Sequence, residues 1–268
     1  MFINDINPVL AAIGPFEIRY YGIIYALGFL IGYFFLRARI KQKKTKLTYE
    51  LLDLYFFWLI IGVILGARIF EVIFFNLKYY MLNPAEILMI WHGGLSFHGG
   101  LFGAIIVTYI FCKKNEIDFY DIADSLVIPA SLALFFGRIA NFINSEHYGK
   151  IADSLKTSWC VVYKRVDNFC RHPSQIYEGI TNLVTFFVLY YYDHVTEKSR
   201  LHYKKGTLFW LFISLYGFFR FLVNFYRDDP QYQFFLGIST GQWFSLLMFI
   251  VGIIFLYKIS RKNSKRKN

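Results

Sequence analysis

Hydrophobic residues in this chain fall in long uncharged runs separated by short polar stretches. Seven runs stand out, roughly at 19–36, 52–74, 97–112, 120–140, 175–192, 206–223 and 239–257. Several approach the ~20 residues a helix needs to cross a bilayer. The pattern predicts an all-α polytopic membrane protein with seven transmembrane helices. The fourth run is the weakest, because Asp121, Asp124 and Pro129 interrupt it. Its aspartates are expected near the helix N-terminus, where the helix dipole favours negative charge.

The polar stretches set the expected orientation. RARIKQKKTK carries six Lys/Arg, KKNEID two, DHVTEKSRLHYKK four and the tail KISRKNSKRKN six. These are alternate connections, so the positive-inside rule assigns them all to the cytoplasm. The N-terminus is then extracytoplasmic and the C-terminus cytoplasmic. One transmembrane domain is expected over 1–258, with a small extracytoplasmic cap at about 141–174 and a basic tail at 259–268. The opening MFINDINPVLAAIGPFEIRYYG lacks a basic n-region and a clean apolar core, so the first span is expected to be retained.

Composition agrees. The 268 residues are 56% hydrophobic and 21% aromatic, with mean hydropathy +0.40, against ~45–50% apolar in a soluble domain. The net charge of +11 is explained by topology, not by nucleic acid, because the basic residues sit in short loops. Cys112, Cys160 and Cys170 have no metal-ligand spacing. Cys112 reads as a packing residue at a span end. Cys160 and Cys170 are free to form a disulfide if their loop is extracytoplasmic, a pairing the sequence leaves open.

With this orientation, costly polar residues gather in one outer layer: Tyr20, Tyr21, Arg68, Glu71, His98, Arg138, Glu178 and Arg220. A charge at membrane depth costs ~2.5–3.5 kcal/mol on insertion scales, so several at one level suggest a shared polar cavity. In GRIANFINSEHYG, residues 137–149, Arg138, Asn141 and Ser145 share a helical spacing, flanked by Asn144 and Glu146. The planar arginine fork suits phosphate oxygens, although snorkelling explains a lone arginine at a span end. In WHGGLSFHGGLFGA, residues 91–104, glycine pairs flank Ser96 and His98. Close approach of a ligand and simple helix packing compete there, and a neutral imidazole can serve as a base near pH 7. In RHPSQIYEG, residues 171–179, Ser174 and Glu178 read first as helix-start residues. In YGFFRFLVNFYRDDP, residues 216–230, Arg220, Asn224 and Arg227 follow one face. Together these features suit an anionic lipid headgroup. A transporter or flippase for anionic lipids is the alternative, and an intramembrane serine protease is weaker, because Ser96 and His98 are too close in sequence to face each other readily.

These motifs, taken in order with RYYG, GARIFE and the closing STGQWFS, resemble the prolipoprotein diacylglyceryl transferase family. The resemblance implies seven spans with the N-terminus outside, in the inner (cytoplasmic) membrane, with the active site toward the extracytoplasmic side. It implies that phosphatidylglycerol donates its diacylglyceryl group to the lipobox cysteine of a prolipoprotein signal peptide. Membrane lipids and that preprotein are the expected partners, with no nucleic acid, metal or organic cofactor. By motif position it implies catalytic roles for His98, Arg138 and Arg220. It further implies substrate-binding roles for Tyr21, Gly99, Gly100, Arg138, Asn141, Asn144 and Glu146. Two departures stand out. Ala140 occupies a place that is usually glycine. Asn224 occupies a place that is usually Glu, which leaves Asp228 or Glu146 as candidates to counter the charge of Arg220.

Overall fold

The computed structural model describes residues 2–14, 16–153, 155, 157–198, 203–228 and 234–264. Each of the seven apolar runs forms a helix: α1 (Tyr20–Lys41), α2 (Tyr49–Phe70), α4 (Phe97–Lys114), α5 (Phe119–Ile143), α6 (Ser174–Lys198), α7 (Thr207–Val223) and α8 (Thr240–Ser264). A short helix, α3 (Leu77–Leu82), follows a π-turn at Glu71–Phe75. Among the described residues, four helical stretches are long and apolar enough to cross a membrane: Tyr20–Lys41, Tyr49–Phe75, Phe119–Ile143 and Thr240–Arg261. The α7 helix is shorter but apolar. Rings such as Phe34, Phe57 and Phe244 lie mostly exposed along these helices, as expected of surfaces that face lipid. The helix α8 continues through Ser264, so the first part of the basic tail is helical.

The chain divides into two compact units, residues 1–32 with 123–268, and residues 33–122. In the second unit α2 packs against α4. Gly62 and Gly66 meet Gly99 and Gly103 there, and a Cβ at any of these four would run into the facing helix. This is the small-xxx-small crossing that lets membrane helices approach closely. Tyr55 and Thr108, both buried, close the contact with a hydroxyl–hydroxyl bond of 2.8 Å.

In the first unit α7 packs against α6 and α8. Asp124 accepts from the backbone N–H groups of Gly206 (2.6 Å) and Phe209 (2.7 Å). It therefore caps the N-terminus of α7, while Asp121 alone lies in the first turn of its own helix α5. The strands β1 (Phe2–Asn4), β4 (Val161–Tyr163) and β5 (Cys170–Arg171) form a small sheet in that order, with β1 parallel to β4 and β5 antiparallel to it. Two hairpins, β2 (Val9–Ile13) with β3 (Phe16–Arg19) and β6 (Phe234–Phe235) with β7 (Ile238–Ser239), complete the strands. A disulfide joins Cys160 to Cys170. Cys112 is a buried free thiol.

Candidate active site

The site is built around the end of α5. The Glu146 N–H bonds the Asn141 carbonyl (2.9 Å) and the Ser145 N–H bonds that of Phe142 (3.1 Å). Ser145 stands at φ 58°. This is a Schellman closure with serine in the left-handed position where glycine is usual. Ser145 thus lies beyond the helix, and the expected shared face of Arg138, Asn141 and Ser145 holds only for the first two. The turn aims Glu146 back at the helix. The Asn141 amide donates to Glu146 (3.2 Å) and to the Tyr21 hydroxyl (3.1 Å), and Asn144 donates to the other Glu146 oxygen (3.2 Å). Arg138 donates to the Asn141 side-chain oxygen (3.0 Å).

Neighbouring segments hold the stretch after the helix on two sides. Gly149 donates to the His172 carbonyl (2.8 Å), and Lys150 to that of Tyr226 (2.8 Å). A Cβ at Gly149 would lie 2.5 Å from the His172 oxygen and 2.6 Å from the Tyr226 oxygen, so only glycine fits between them. The Ser174 hydroxyl donates to the His147 carbonyl (2.7 Å) and Gln175 to that of Glu146 (2.7 Å). Ser174, read from sequence as a cap, ties the loop to α6. Arg171 reinforces the clamp by pairing with Asp167 (2.6 Å) and Asp228 (2.8 Å) and stacking over Tyr148. Asp167 is held below the usual carboxylate range by its bonds to Arg171.

The centre of the network is Glu178, a buried residue in the second turn of α6. Its carboxylate meets Arg138 from α5 (2.7 Å), Arg220 from α7, and Arg227 just beyond α7 (2.6 Å). Among the described residues, this one carboxylate is shared by the three guanidinium groups. The counter-charge of Arg220 is therefore Glu178, not Asp228 or Glu146: Asp228 pairs with Arg171, and Glu146 accepts from two asparagines. Glu178 reads from sequence as a helix-start acid because its three partners come from other parts of the chain. A signal was nevertheless available: an acid in an apolar run, with arginines at the same expected level of two other runs.

His147, at φ 57°, takes a hydrogen bond from Arg227 on Nδ1 (2.8 Å). Arginine cannot accept, so Nδ1 is the unprotonated nitrogen. Part of the residue is exposed, but enclosure of the ring and then the nearby Arg227 charge push its pKa down to about 4. The ring is neutral at pH 7 and orients Arg227. Asn224 is buried, and both its side-chain nitrogen and oxygen lack a hydrogen-bond partner among the described residues. Each such atom costs about 1–3 kcal/mol.

The structure thus joins Tyr21, Arg138, Asn141, Asn144, Glu146 and Arg220 in one network, to which Glu178, Arg227 and His147 are added. His98, Gly99 and Gly100 belong to the other compact unit. His98 is exposed on the first turn of α4, which Ser96 caps by accepting from Gly99 N–H (3.4 Å). Gly99 lies against Gly66 and Phe70 at the α2–α4 crossing, and Gly100 lies beside Val63. Arg68 has its own satisfied environment. It donates to the Tyr80 hydroxyl (2.9 Å) and to the carbonyls of Glu86, Ile87, Met89, Gly93 and Gly94. It is the organiser of the 86–94 loop.

Comparison with known proteins gives a consistent result. The family model described as prolipoprotein diacylglyceryl transferase matches residues 8–258. Among relatives named phosphatidylglycerol–prolipoprotein diacylglyceryl transferase, that of Geobacter sulfurreducens is 37% identical over 259 residues, covering 96% of each chain. That of Rickettsia canadensis is 38% identical over 255 residues, 94% of this chain and 96% of the relative. That of Rhodospirillum rubrum is 38% identical over 261 residues, 96% and 93% respectively.

Proposed function

Because the chain belongs to the prolipoprotein diacylglyceryl transferase family, we propose that its three arginines around Glu178 hold the phosphate of the donor lipid. The chain is a transferase of lipoprotein maturation, moving a diacylglyceryl group from phosphatidylglycerol to a prolipoprotein. The acceptor in this reading is the lipobox cysteine thiol. Its sulfur attacks the glycerol carbon that bears the phosphate. A C–S bond forms, the C–O bond to phosphate breaks, and glycerol phosphate leaves with the electron pair.

The observation that carries the proposal is the convergence of Arg138, Arg220 and Arg227 on one buried carboxylate. Glu178 pre-sets the guanidinium forks, so donors are already aimed where negative charge grows on the leaving phosphate. Asn141 fixes Arg138 from one side and is itself held by Tyr21 and Glu146. The orphan amide of Asn224, one turn after Arg220, offers a donor and an acceptor to a hydroxylated headgroup. A thiol is mostly protonated near pH 7, with an ordinary pKa of ~8.5, so a base is required. By motif position the family resemblance gives that role to His98, exposed on the first turn of α4, while Gly99 and Gly100 let α2 and α4 pack closely.

The seven-span arrangement, with the N-terminus and the site toward the outside of the inner membrane, rests on the alternation of basic loops. The Cys160–Cys170 disulfide adds support, because such bonds persist outside the reducing cytoplasm. Reporters fused after Lys46 and near Asp167 are expected on opposite sides of the membrane. Finding both on one side overturns this arrangement. The reaction is tested by incubating the purified protein with phosphatidylglycerol labelled in its diacylglyceryl moiety and a lipobox peptide. Label is expected on the peptide thiol. Peptide cleavage, or no label transfer, refutes the assignment.

A further inference from the structure

Beside the arginine network lies a groove of about 590 Å³ whose walls include Phe2, Phe142, Trp159, Val161, Ile176 and Tyr177. The mechanism above does not use it. Its walls come from the same two helices that carry the network. Phe142 follows Asn141 on α5, and Tyr177 precedes Glu178 on α6. The third wall is the small sheet, where Phe2 of β1 and Val161 of β4 are register partners and so share a face. That sheet is fixed to the site. Asn4 donates to the Phe142 carbonyl (2.6 Å), and Tyr163 donates to Gln175 (2.9 Å).

Two features narrow the occupant. First, β1 is the edge strand of the sheet. Phe2 N–H bonds Cys160 O and Lys164 N–H bonds Asn4 O, so Ile3 between them turns its N–H and C=O outward, where an extended chain can add. The opposite edge, at β5, is covered by the bridge from Ile151 to Arg171. Second, the groove lies at the ends of α5 and α6, among the strands. Acyl chains of a lipid gripped at Arg138 run the other way, toward the helix middles and the bilayer core. The acceptor, by contrast, carries its cysteine after a secretory h-region of roughly 7–15 apolar residues.

We propose that this groove seats the apolar residues just before the acceptor cysteine of the preprotein, as an extended segment added alongside β1. Alternate side chains of that segment enter the groove between Phe2, Trp159 and Tyr177, and the cysteine emerges toward the Arg138–Glu178 network. The proposal rests on the transferase reading above.

Phe2 and Trp159 are both more than half exposed, so truncating them leaves the buried packing in place. In the full-length protein, Phe2→Ala and Trp159→Ala are each expected to raise the KM for a lipobox peptide at least fivefold. The KM for phosphatidylglycerol and kcat should stay within twofold. A photocrosslinking residue, Trp159→p-benzoylphenylalanine, is expected to capture a biotinylated lipobox peptide, with competition by unlabelled peptide. A rise in the phosphatidylglycerol KM instead assigns the groove to an acyl chain and overturns the proposal. Unchanged peptide KM with no peptide adduct overturns it as well. In both cases wild-type transfer still stands, whereas wild type that transfers no diacylglyceryl group sinks the transferase reading itself.

Discussion

Two buried arginine environments in this molecule solve the same problem in opposite ways. Arg68 is met by five backbone carbonyls and a tyrosine hydroxyl, nearly all from the loop it organises. Tyr80 adds its ring face at 4.9 Å. Its donors are spent on the protein's own backbone. Arg138, Arg220 and Arg227 instead converge, among the described residues, on the Glu178 carboxylate, with Asn141 and His147 as side supports. The first arrangement finishes a fold. The second concentrates positive charge and fixes its geometry, which is what binding an anion requires. An arginine in an apolar run is thus not a site by virtue of its charge. The identity of its partners decides.

The largest effect is expected from Glu178→Gln. The shape is kept but the carboxylate shared by the three arginines is lost, and breaking a buried ion pair this way costs about 3–5 kcal/mol. Thermal unfolding should shift down sharply and transfer should fall with it. A variant as stable as wild type would show that the three arginines do not depend on Glu178, and the contrast with Arg68 would lose its basis.

A smaller effect concerns His147, the side support of Arg227. Its pKa in the fold is about 4, below the ordinary ~6.5 of the unfolded chain. Between those values the unfolded chain binds a proton that the folded one does not. The stability tied to the neutral ring is therefore complete above about pH 6.5 and is lost as pH falls toward 4. The substitution His147→Gln keeps an acceptor for Arg227 but cannot titrate. Its melting temperature should drop less than that of wild type over this pH range. Equal drops would show that His147 does not stay neutral beside Arg227.

Much of this contrast was legible in the sequence and part was not. The limits of the helices follow the apolar runs closely, because membrane-spanning length and polar loops leave little freedom. Arg138, Asn141, Glu146 and Arg220 also stood out as costly groups in apolar surroundings. Glu178 lay in the same outer layer, but its place at the centre did not show, because a helix start offers a cheaper local explanation and its partners are 40, 42 and 49 residues away in the chain. Ser145 misled because a left-handed helix end is normally announced by glycine. Arg68 could not be separated from Arg138 by sequence, since carbonyl partners have no side-chain signature. His147 gave no signal either, as its role depends on Arg227 arriving from another segment.

The central claim is that the Arg138 fork, not merely its charge, grips the departing phosphate, whereas Arg68 serves only its loop. The direct test is diacylglyceryl transfer per folded molecule in Arg138→Lys beside Arg68→Lys. Lysine supplies the charge but not the planar fork. Each ~1.4 kcal/mol of lost transition-state stabilisation is tenfold in rate, and one charge-assisted bond is worth about 1.5–3 kcal/mol. Arg138→Lys is expected to fold and to lose at least tenfold in transfer. Arg68→Lys is expected to fold in lower yield, with the folded fraction within twofold of wild type. Near wild-type transfer by a well-folded Arg138→Lys protein would contradict the account.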